Sequence, residues 1–408
     1  MVARTFDGLR AACAEVAQAS TEDTVDGVPA RWVAWPRNTE EVSAVLRAAA
    51  GLGLRVVARG SGSRLCWGLP PTDLDLIVDT SRMTAVLAHA AGDLIVTTQA
   101  GLRMVDLQNQ LGAHRQQLAL DGSDTLGGTI GGTIATATSG PLRYRFGSVR
   151  DLLIGITVVL ADGTVARSGG TVVKNVAGYD LGKLYTGSMG TLGVITEAVF
   201  RLHPTPEASR WVLAPVADAA RAAAAVAAAR AAQHDPVALE VNRGTPGGPV
   251  TVGVAVEGVA KGIDARAKAV ASLLGGAAGM PATVTEQPPD WWGRPPYPPQ
   301  GPGATVTCEP SGLAELLATA PGALRGSAGA GVLAAGLDDG DRLSLELAQL
   351  RTIAARHGGN AVLRCAPPHR KATLDVWGPV PALGLMRRLK DQFDPEHRLS
   401  PGRFVGGI

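Results

Sequence analysis

Lysine is scarce in this sequence: only six of its 38 basic residues are Lys. The excess of Arg and Ala reads as coding bias, so an Arg is weak evidence of function and a Lys is harder to dismiss. Charge of one sign is missing as well. Against 36 acidic residues the balance is +2, which excludes a dedicated nucleic-acid binder on net charge. Aromatic residues make up only 4%. The four cysteines, Cys13, Cys66, Cys308 and Cys365, include no C-x-x-C pair. They read as separate, reduced thiols of a cytoplasmic protein rather than a disulfide frame or an iron–sulfur site. No window of about 20 residues is both apolar and uncharged, which excludes a spanning helix. The nearest approach, Ala217 to Ala232, carries Asp218, Arg221 and Arg230 and is an Ala-rich helix. The start, Met1 to Ser20, lacks a continuous apolar stretch. Its apolar residues Val2, Phe6, Leu9, Cys13 and Val16 fall at helical spacing, which predicts an amphipathic helix and not a signal peptide.

What is abundant is glycine, 52 of 408 residues, beside 46% apolar residues. The chain can bury a large core, and its length suggests two or three domains. Two textures follow an N-terminal helical segment (1–27). From about Val28 to Pro206, short β-rich runs alternate with Gly-rich loops. Glu40 to Leu52 reads as an amphipathic helix with Thr39 as N-cap. Asp151 to Leu160, Asp162-Gly163 and Thr164 to Ser168 read as a hairpin with a type I′ turn. After the Pro-rich join at 202–207, strands and helices alternate at longer intervals up to about 390, which predicts an α+β cap domain on an antiparallel sheet. A tail, 391–408, follows. Within the cap, Met280 to Gly303 holds 8 of the 27 prolines together with Trp291, Trp292 and Tyr297. It reads either as a mobile extended linker or as a partner-docking segment, since adjacent Trp side chains are costly to leave in water.

Three Gly-rich segments carry the chemistry. Arg59-Gly60-Ser61-Gly62-Ser63-Arg64 follows a short strand, and its small residues let backbone N–H groups converge as an anion nest. In Gly127 to Gly140 every side chain except Ile130 and Ile134 is small, so a planar or charged ligand can lie against the backbone. There Thr129 is placed to cap a helical turn whose free N–H groups face a diphosphate. Gly187 to Ile195 leads into a strand. None of the three fits G-x-G-x-x-G, because Leu65 stands where the third Gly would be, and no G-x-x-x-x-G-K-[ST] occurs. A dinucleotide-binding domain of that type and a P-loop NTPase both lose ground.

The order of these segments resembles the FAD-binding domain of the vanillyl-alcohol oxidase / p-cresol methylhydroxylase family over roughly residues 28 to 206. The resemblance runs through Pro36 to Val42, Arg59 to Ser63, Thr129 to Gly132, Phe146-Gly147, Asp151 and Gly190 to Glu197. Val172 to Leu184, Ala135 to Pro141, Phe393-Asp394-Pro395 and Leu399 to Phe404 are similar to FAD-dependent 2-hydroxyacid dehydrogenases, above all to the FAD-binding small subunit of bacterial glycolate oxidases.

The resemblance implies an α+β fold in which FAD lies between two α+β subdomains, with a break near 90–100, followed by the cap, with the tail packed back on the FAD domain. Gly60, Ser61, Gly62, Ser63, Thr129, Ile130, Gly131 and Gly132 would hold the diphosphate, with Arg59 and Arg64 offsetting its charge. Ala135, Thr136, Ser139 and Gly140 would back the flavin ring. Gly193, Val194 and Ile195 would meet the other end of the cofactor. Gly101 and Asp121 join the same cofactor-binding set, although Asp121, like Asp93 and Asp124, also reads as a loop acid. Lys174 is a candidate to stabilise the reduced flavin. No His follows Gly62, so the FAD is expected to be noncovalent. Catalytic members of the 2-hydroxyacid branch carry a late His-rich segment resembling a metal site. Here Arg356 to Asn360 is a faint echo, His357 and His369 read as a helix-end and a loop His, and no metal is expected.

These features imply an FAD-dependent oxidoreductase that works as a subunit of a glycolate oxidase-type complex. Its partners would be a catalytic flavoprotein subunit and an iron–sulfur subunit, and its substrate a small 2-hydroxy acid such as glycolate or D-lactate. Neither nucleic acid nor direct membrane insertion is expected, and any membrane association would come through partners. The alternatives are a self-sufficient FAD-dependent D-2-hydroxyacid dehydrogenase and a non-catalytic scaffold subunit that keeps the fold.

Overall fold

The computed structural model describes residues 2–171 and 179–408, the side chains of residues 2–4 excepted. The fold is α+β and contains three principal sheets. The first is built from β1 (Val16–Gln18), β2 (Trp32–Ala34), β3 (Val56–Arg59) and β4 (Leu76–Asp79) in the order β1-β2-β4-β3, with β2 and β3 both parallel to β4. The second is an antiparallel sheet of β5 (Val86–Ala90), β6 (Ile95–Gln99), β7 (Leu153–Val159), β8 (Val165–Gly169) and β9 (Val194–Arg201), in the order β8-β7-β9-β6-β5. The chain leaves the first sheet after Asp79 and enters the second at Val86, earlier than residues 90–100.

The third sheet has eight strands: β10 (Ala208–Val216), β11 (Ala238–Arg243), β12 (Val250–Gly258), β13 (Thr283–Thr285), β14 (Gly303–Thr307), β15 (Leu324–Ser327), β16 (Val332–Gly336) and β17 (Ala361–Cys365). All its pairings are antiparallel, in the order β13-β10-β12-β11-β15-β16-β14-β17. Side chains alternate across such a sheet. Val212, Leu239, Val241, Val252, Val254, Ala304, Val306, Leu333 and Leu363 point to one face and join the apolar side chains of the helices Ala219–Ala231, Ala260–Ala278 and Leu343–Arg356 in the largest core of the protein. The other face is turned toward the first two sheets, and it is there that the strands place their polar residues.

Several local expectations give way to geometry. The N-terminal helix stops at Ala12, and Val16 belongs to β1, paired with Ala34, rather than to an apolar helix face. Asn38, not Thr39, caps the helix Thr39–Gly51. Its backbone is extended and its Oδ1 accepts from Glu41 N at 2.8 Å, while the Thr39 hydroxyl donates to Thr196 Oγ1 at 3.0 Å. The β7–β8 hairpin closes differently from a two-residue type I′ turn. Leu160 N donates to Thr164 O and Gly163 N to Leu160 O, each at 2.9 Å, so the loop has three residues with Gly163 at φ +86°.

Cys66 and Cys365 are joined in a disulfide, with Cα atoms 5.4 Å apart across 299 residues of sequence, whereas Cys13 and Cys308 are free. This overturns the expectation of four separate thiols. The bond ties the segment just beyond the first Gly-rich loop to β17 of the large sheet. Lys371 reinforces the tie from the cap side, donating to Cys66 O at 2.8 Å and Gly68 O at 3.0 Å and pairing with Asp26.

The Pro-rich stretch is packed rather than free. Trp291 and Trp292 lie against Gly253 of β12, where an added Cβ would stand 2.8 Å from Trp292 Cζ3 and 3.1 Å from Trp291 Cη2. Gly293 O accepts from Ser123 N at 2.8 Å. The segment is therefore a strap from the large sheet back to the Gly-rich loops. Both the mobile-linker and the partner-docking expectations yield to that.

The tail is held by buried polar contacts. Lys390 Nζ donates to Asp394 Oδ2 at 2.6 Å, Thr191 O at 2.8 Å and Leu399 O at 2.9 Å, with both side chains of the ion pair fully buried. A lone buried carboxylate costs far more than a missing surface pair, so Lys390→Ala should destabilise the fold by about 3–5 kcal/mol. The measurement is the shift of a urea midpoint at constant m-value, and a loss under about 1 kcal/mol would contradict the pairing described.

Candidate functional site

The three Gly-rich segments meet at one cleft of about 770 Å³, open to solvent. Gly60, Ser61, Gly62, Ser63 and Arg64 line it from the first, Thr129, Gly131, Gly132, Ala135 and Thr136 from the second, and Met189, Gly190, Gly193 and Ile195 from the third. Their approach depends on missing side chains. A Cβ on Gly60 would collide with Thr129 Oγ1, one on Gly131 would stand 2.9 Å from Ala100 Cβ, and one on Gly128 would meet the Arg64 guanidinium.

The first segment has the donors an anion needs. Gly62 sits at φ +77°, and the backbone N–H groups of Ser61, Gly62, Ser63 and Arg64 donate to no acceptor among the described residues. Free N–H groups converging at a sign change in φ make an anion nest. The second segment does not behave as its sequence suggests. Thr129 does cap the helix Ile130–Thr136, accepting from Gly132 N at 3.2 Å. Ile130 N, however, donates to Leu102 O at 2.9 Å and Gly131 N to Ala100 O at 2.7 Å. The donors of that first turn are satisfied inside the protein, and the segment contributes a smooth, small-residue wall instead.

The two arginines of the first segment are also engaged. Arg59 pairs with Asp79 at 2.7 Å and Asp23 at 2.8 Å. Arg64 is buried, which pulls its guanidinium down to about 10. It bridges the Asp124 carbonyl and Thr136 Oγ1, the latter at 3.2 Å. Both hold Gly-rich loops in place more than they offer free charge. Of the remaining residues singled out from the sequence, Ile130 and Val194 are buried in cores and do not line the cleft. Gly101 packs against Thr80 O and Met83 O, fixing a turn behind the cleft. Lys174 lies outside the described residues.

Asp121, Ser139 and Gly140 line a second cavity of about 1040 Å³, which shares Thr136 with the first. Its floor is 136–141, its side the strap residues Gly293 to Tyr297, and its roof the polar face of the large sheet. Alternation puts Glu240 on β11, Thr305 and Thr307 on β14, Arg325 and Ser327 on β15 and Arg364 on β17 into that roof, while their neighbours Leu239, Leu324, Val306 and Leu363 face the helices. Sequence reading missed Trp67, Arg143, Glu240, Tyr297, Arg325 and Arg364. A charged residue interrupting an apolar strand, as in Ala-Leu-Glu240-Val and Val-Leu-Arg364-Cys, was the available signal.

The cavity's charges are strongly desolvated. Arg364 donates through Nε to Thr305 Oγ1 at 2.8 Å and lies 5.0 Å from the Trp67 ring, and burial pulls its guanidinium down. Burial pushes the Asp121 carboxyl up to about 7, against the Leu142 N–H that donates to it at 2.9 Å. Glu240, 2% exposed, is pushed up to about 8 by burial and by Asp121, with Arg143 opposing. Arg143 is lowered by burial, with Glu240 and Asp121 opposing. Among the described residues, neither Glu240 Oε1 nor Arg143 Nε has a hydrogen-bond partner.

Residues 30–169 match the FAD binding domain family. The chain is similar to glycolate oxidase subunit GlcD of Bacillus subtilis, 38% identical over 205 residues that make up 50% of this chain and 44% of that protein. It is similar to glycolate oxidase subunit GlcE of Escherichia coli, 36% identical over 158 residues, 38% of this chain and 44% of that protein. The chain thus spans less than half the length of each of these relatives in alignment. Its fold is similar to that of p-cresol methylhydroxylase, with a TM-score of 0.74 at 15% identity over 98% of this chain and 96% of that one.

Two outcomes follow from this geometry. Gly60→Val should weaken FAD binding roughly tenfold or more, because overpacking costs about 1–3 kcal/mol at such a contact. Gly92→Val, at a glycine with nothing within 4 Å, is the control, and flavin fluorescence titration is the measurement. Equal affinities in the two variants would contradict the close approach. The second outcome concerns pH. The raised Glu240 carboxyl keeps its proton in the folded chain where the unfolded chain has lost it. Its contribution to stability therefore falls as pH rises from its ordinary 4.5 to about 8. The melting temperature of Glu240→Gln relative to the parent should accordingly rise between pH 5 and pH 8, and a constant difference would contradict the shift.

Proposed function

We propose that this chain, whose residues 30–169 match the FAD binding domain family, binds FAD noncovalently along the two adjacent cavities and oxidises a small 2-hydroxy acid. The observation that carries this reading is the meeting of three distant Gly-rich segments on one cleft that shares Thr136 with a second cavity roofed by charged side chains. The unused N–H groups of residues 61–64 would hold the diphosphate. The small side chains from Ala135 to Gly140 would leave room for the ring, and among the described residues no His lines either cavity.

When bound, FAD would supply two-electron oxidising chemistry to the carbon that bears the hydroxyl. The chain's own residues bind and orient. Arg143, Arg325 and Arg364 give the second cavity a positive wall suited to a carboxylate. The strap and the large sheet stand over the floor. The likeness to GlcD and GlcE, each named as a glycolate oxidase subunit, supports a role within a multi-subunit complex of glycolate oxidase type.

Purification of the chain by itself is the test. Yellow protein that releases FAD on acid treatment and whose flavin is bleached anaerobically by glycolate or D-lactate is the expected result. Colourless protein that ignores added FAD would overturn the reading. Bound FAD that is reduced only after the partner subunits are added would place the chain as a dependent subunit, and dye reduction by the lone chain would make it self-sufficient.

A further inference from the structure

Two orphaned atoms face one cavity. Glu240 Oε1 is a buried acceptor with no donor, and Arg143 Nε is a buried donor with no acceptor, among the described residues. Both side chains line the second cavity, and each is close enough to bias the charge of the other. Leaving such a group unmade costs about 1–3 kcal/mol. The two neighbouring arginines are engaged through Nε, Arg325 with Asn242 Oδ1 and Arg364 with Thr305 Oγ1, each at 2.8 Å, while the Ser327 hydroxyl, cross-strand from Glu240, holds its carboxyl down against burial.

We propose that Arg143 and Glu240 form a specificity pair that selects a ligand carrying an anionic acceptor beside a hydroxyl donor. The ligand's carboxylate accepts from Arg143 Nε–H, and its hydroxyl donates to Glu240 Oε1. A simple carboxylic acid completes one half of the pair and leaves Glu240 unmatched. The inference rests on the reading above that the second cavity receives the substrate, and it assigns the recognition of the hydroxyl to a residue of the large sheet.

The raised Glu240 carboxyl is consistent with this role. Below about pH 8 it is largely neutral and does not repel an anion, while its carbonyl oxygen still accepts a hydrogen bond. The charged or titratable groups that share the cavity are Asp121, Asp124, Arg143, Arg294, Tyr297, Arg325 and Arg364. The raised Asp121 and Asp124 carboxyls would add to repulsion at high pH, and the arginines would oppose it.

The test uses FAD-loaded protein and a probe that cannot be oxidised. 2-Hydroxyisobutyrate bears hydroxyl and carboxylate but no hydrogen on the hydroxyl carbon, and isobutyrate lacks only the hydroxyl. Calorimetry at pH 7 should show the parent binding the hydroxy acid about tenfold or more tightly. In Glu240→Leu the two acids should bind alike. In Glu240→Gln, whose amide oxygen still accepts, the preference should persist while the weakening of binding between pH 7 and pH 9 becomes shallower. Arg143→Met should weaken both acids about tenfold or more, with Arg143→Lys recovering part of that. A parent that does not distinguish the acids, or a folded Glu240→Leu that still does, overturns the pair. If the flavin is nonetheless reduced by glycolate, the proposed function stands without it; if no flavin binds at all, that function falls independently.

Discussion

Close approach at glycine governs this structure. Gly60 meets Thr129, Gly131 meets Ala100 and Gly140 meets Asp121 at separations that leave no room for a side chain. A single methyl at these places would push apart loops that lie tens of residues from one another in the chain. The cleft exists because the loops can touch, and its walls are smooth for the same reason. Arg59 and Arg64 serve the contact as well: one is neutralised by two aspartates of the first sheet and its neighbourhood, the other clamps the second loop to the first.

Above this base sits a sheet used on both faces. Its apolar face is covered by helices and forms the largest core. Its polar face roofs the second cavity with residues contributed by strands adjacent in space, with Glu240 opposite Ser327 and Asn242 opposite Arg325 in the β11–β15 register. The strap and the disulfide hold roof to floor. Gly293 reaches Ser123, and Cys66 reaches Cys365, the neighbour of Arg364. Arg403, from the tail, donates to Leu65 O at 2.8 Å and Trp67 O at 2.7 Å, so the last residues brace the first Gly-rich loop. The positions of the charged roof groups over the small-residue floor are thereby set by several independent ties.

That arrangement makes the second cavity a low-dielectric site with several arginines and carboxyls. Desolvation raises Asp121 and Glu240 far enough to hold protons near neutral pH and draws down Arg143 and Arg364. Groups shifted in opposite directions in one cavity are costly to maintain by folding alone, and they are characteristic of places that meet a ligand.

The amino-acid sequence alone determined the α+β class, the three Gly-rich segments and the two textures of the chain, because φ freedom, side-chain size and hydrophobic period are properties of a few neighbouring residues. Asn38 displaced Thr39 as a cap, and the Asp162-Gly163 hairpin gained a residue, because competing caps and turns differ by one position and small energies. Only tertiary structure decided the rest. The donors of Ile130 and Gly131 were consumed by Leu102 and Ala100, which no local pattern announces. Cys66 met Cys365 across 299 residues, and Glu240, Arg143 and Arg364, each unremarkable in its own segment, became one cavity. Burial and partnership depend on what lies across space, and that is settled only once the chain has closed on itself.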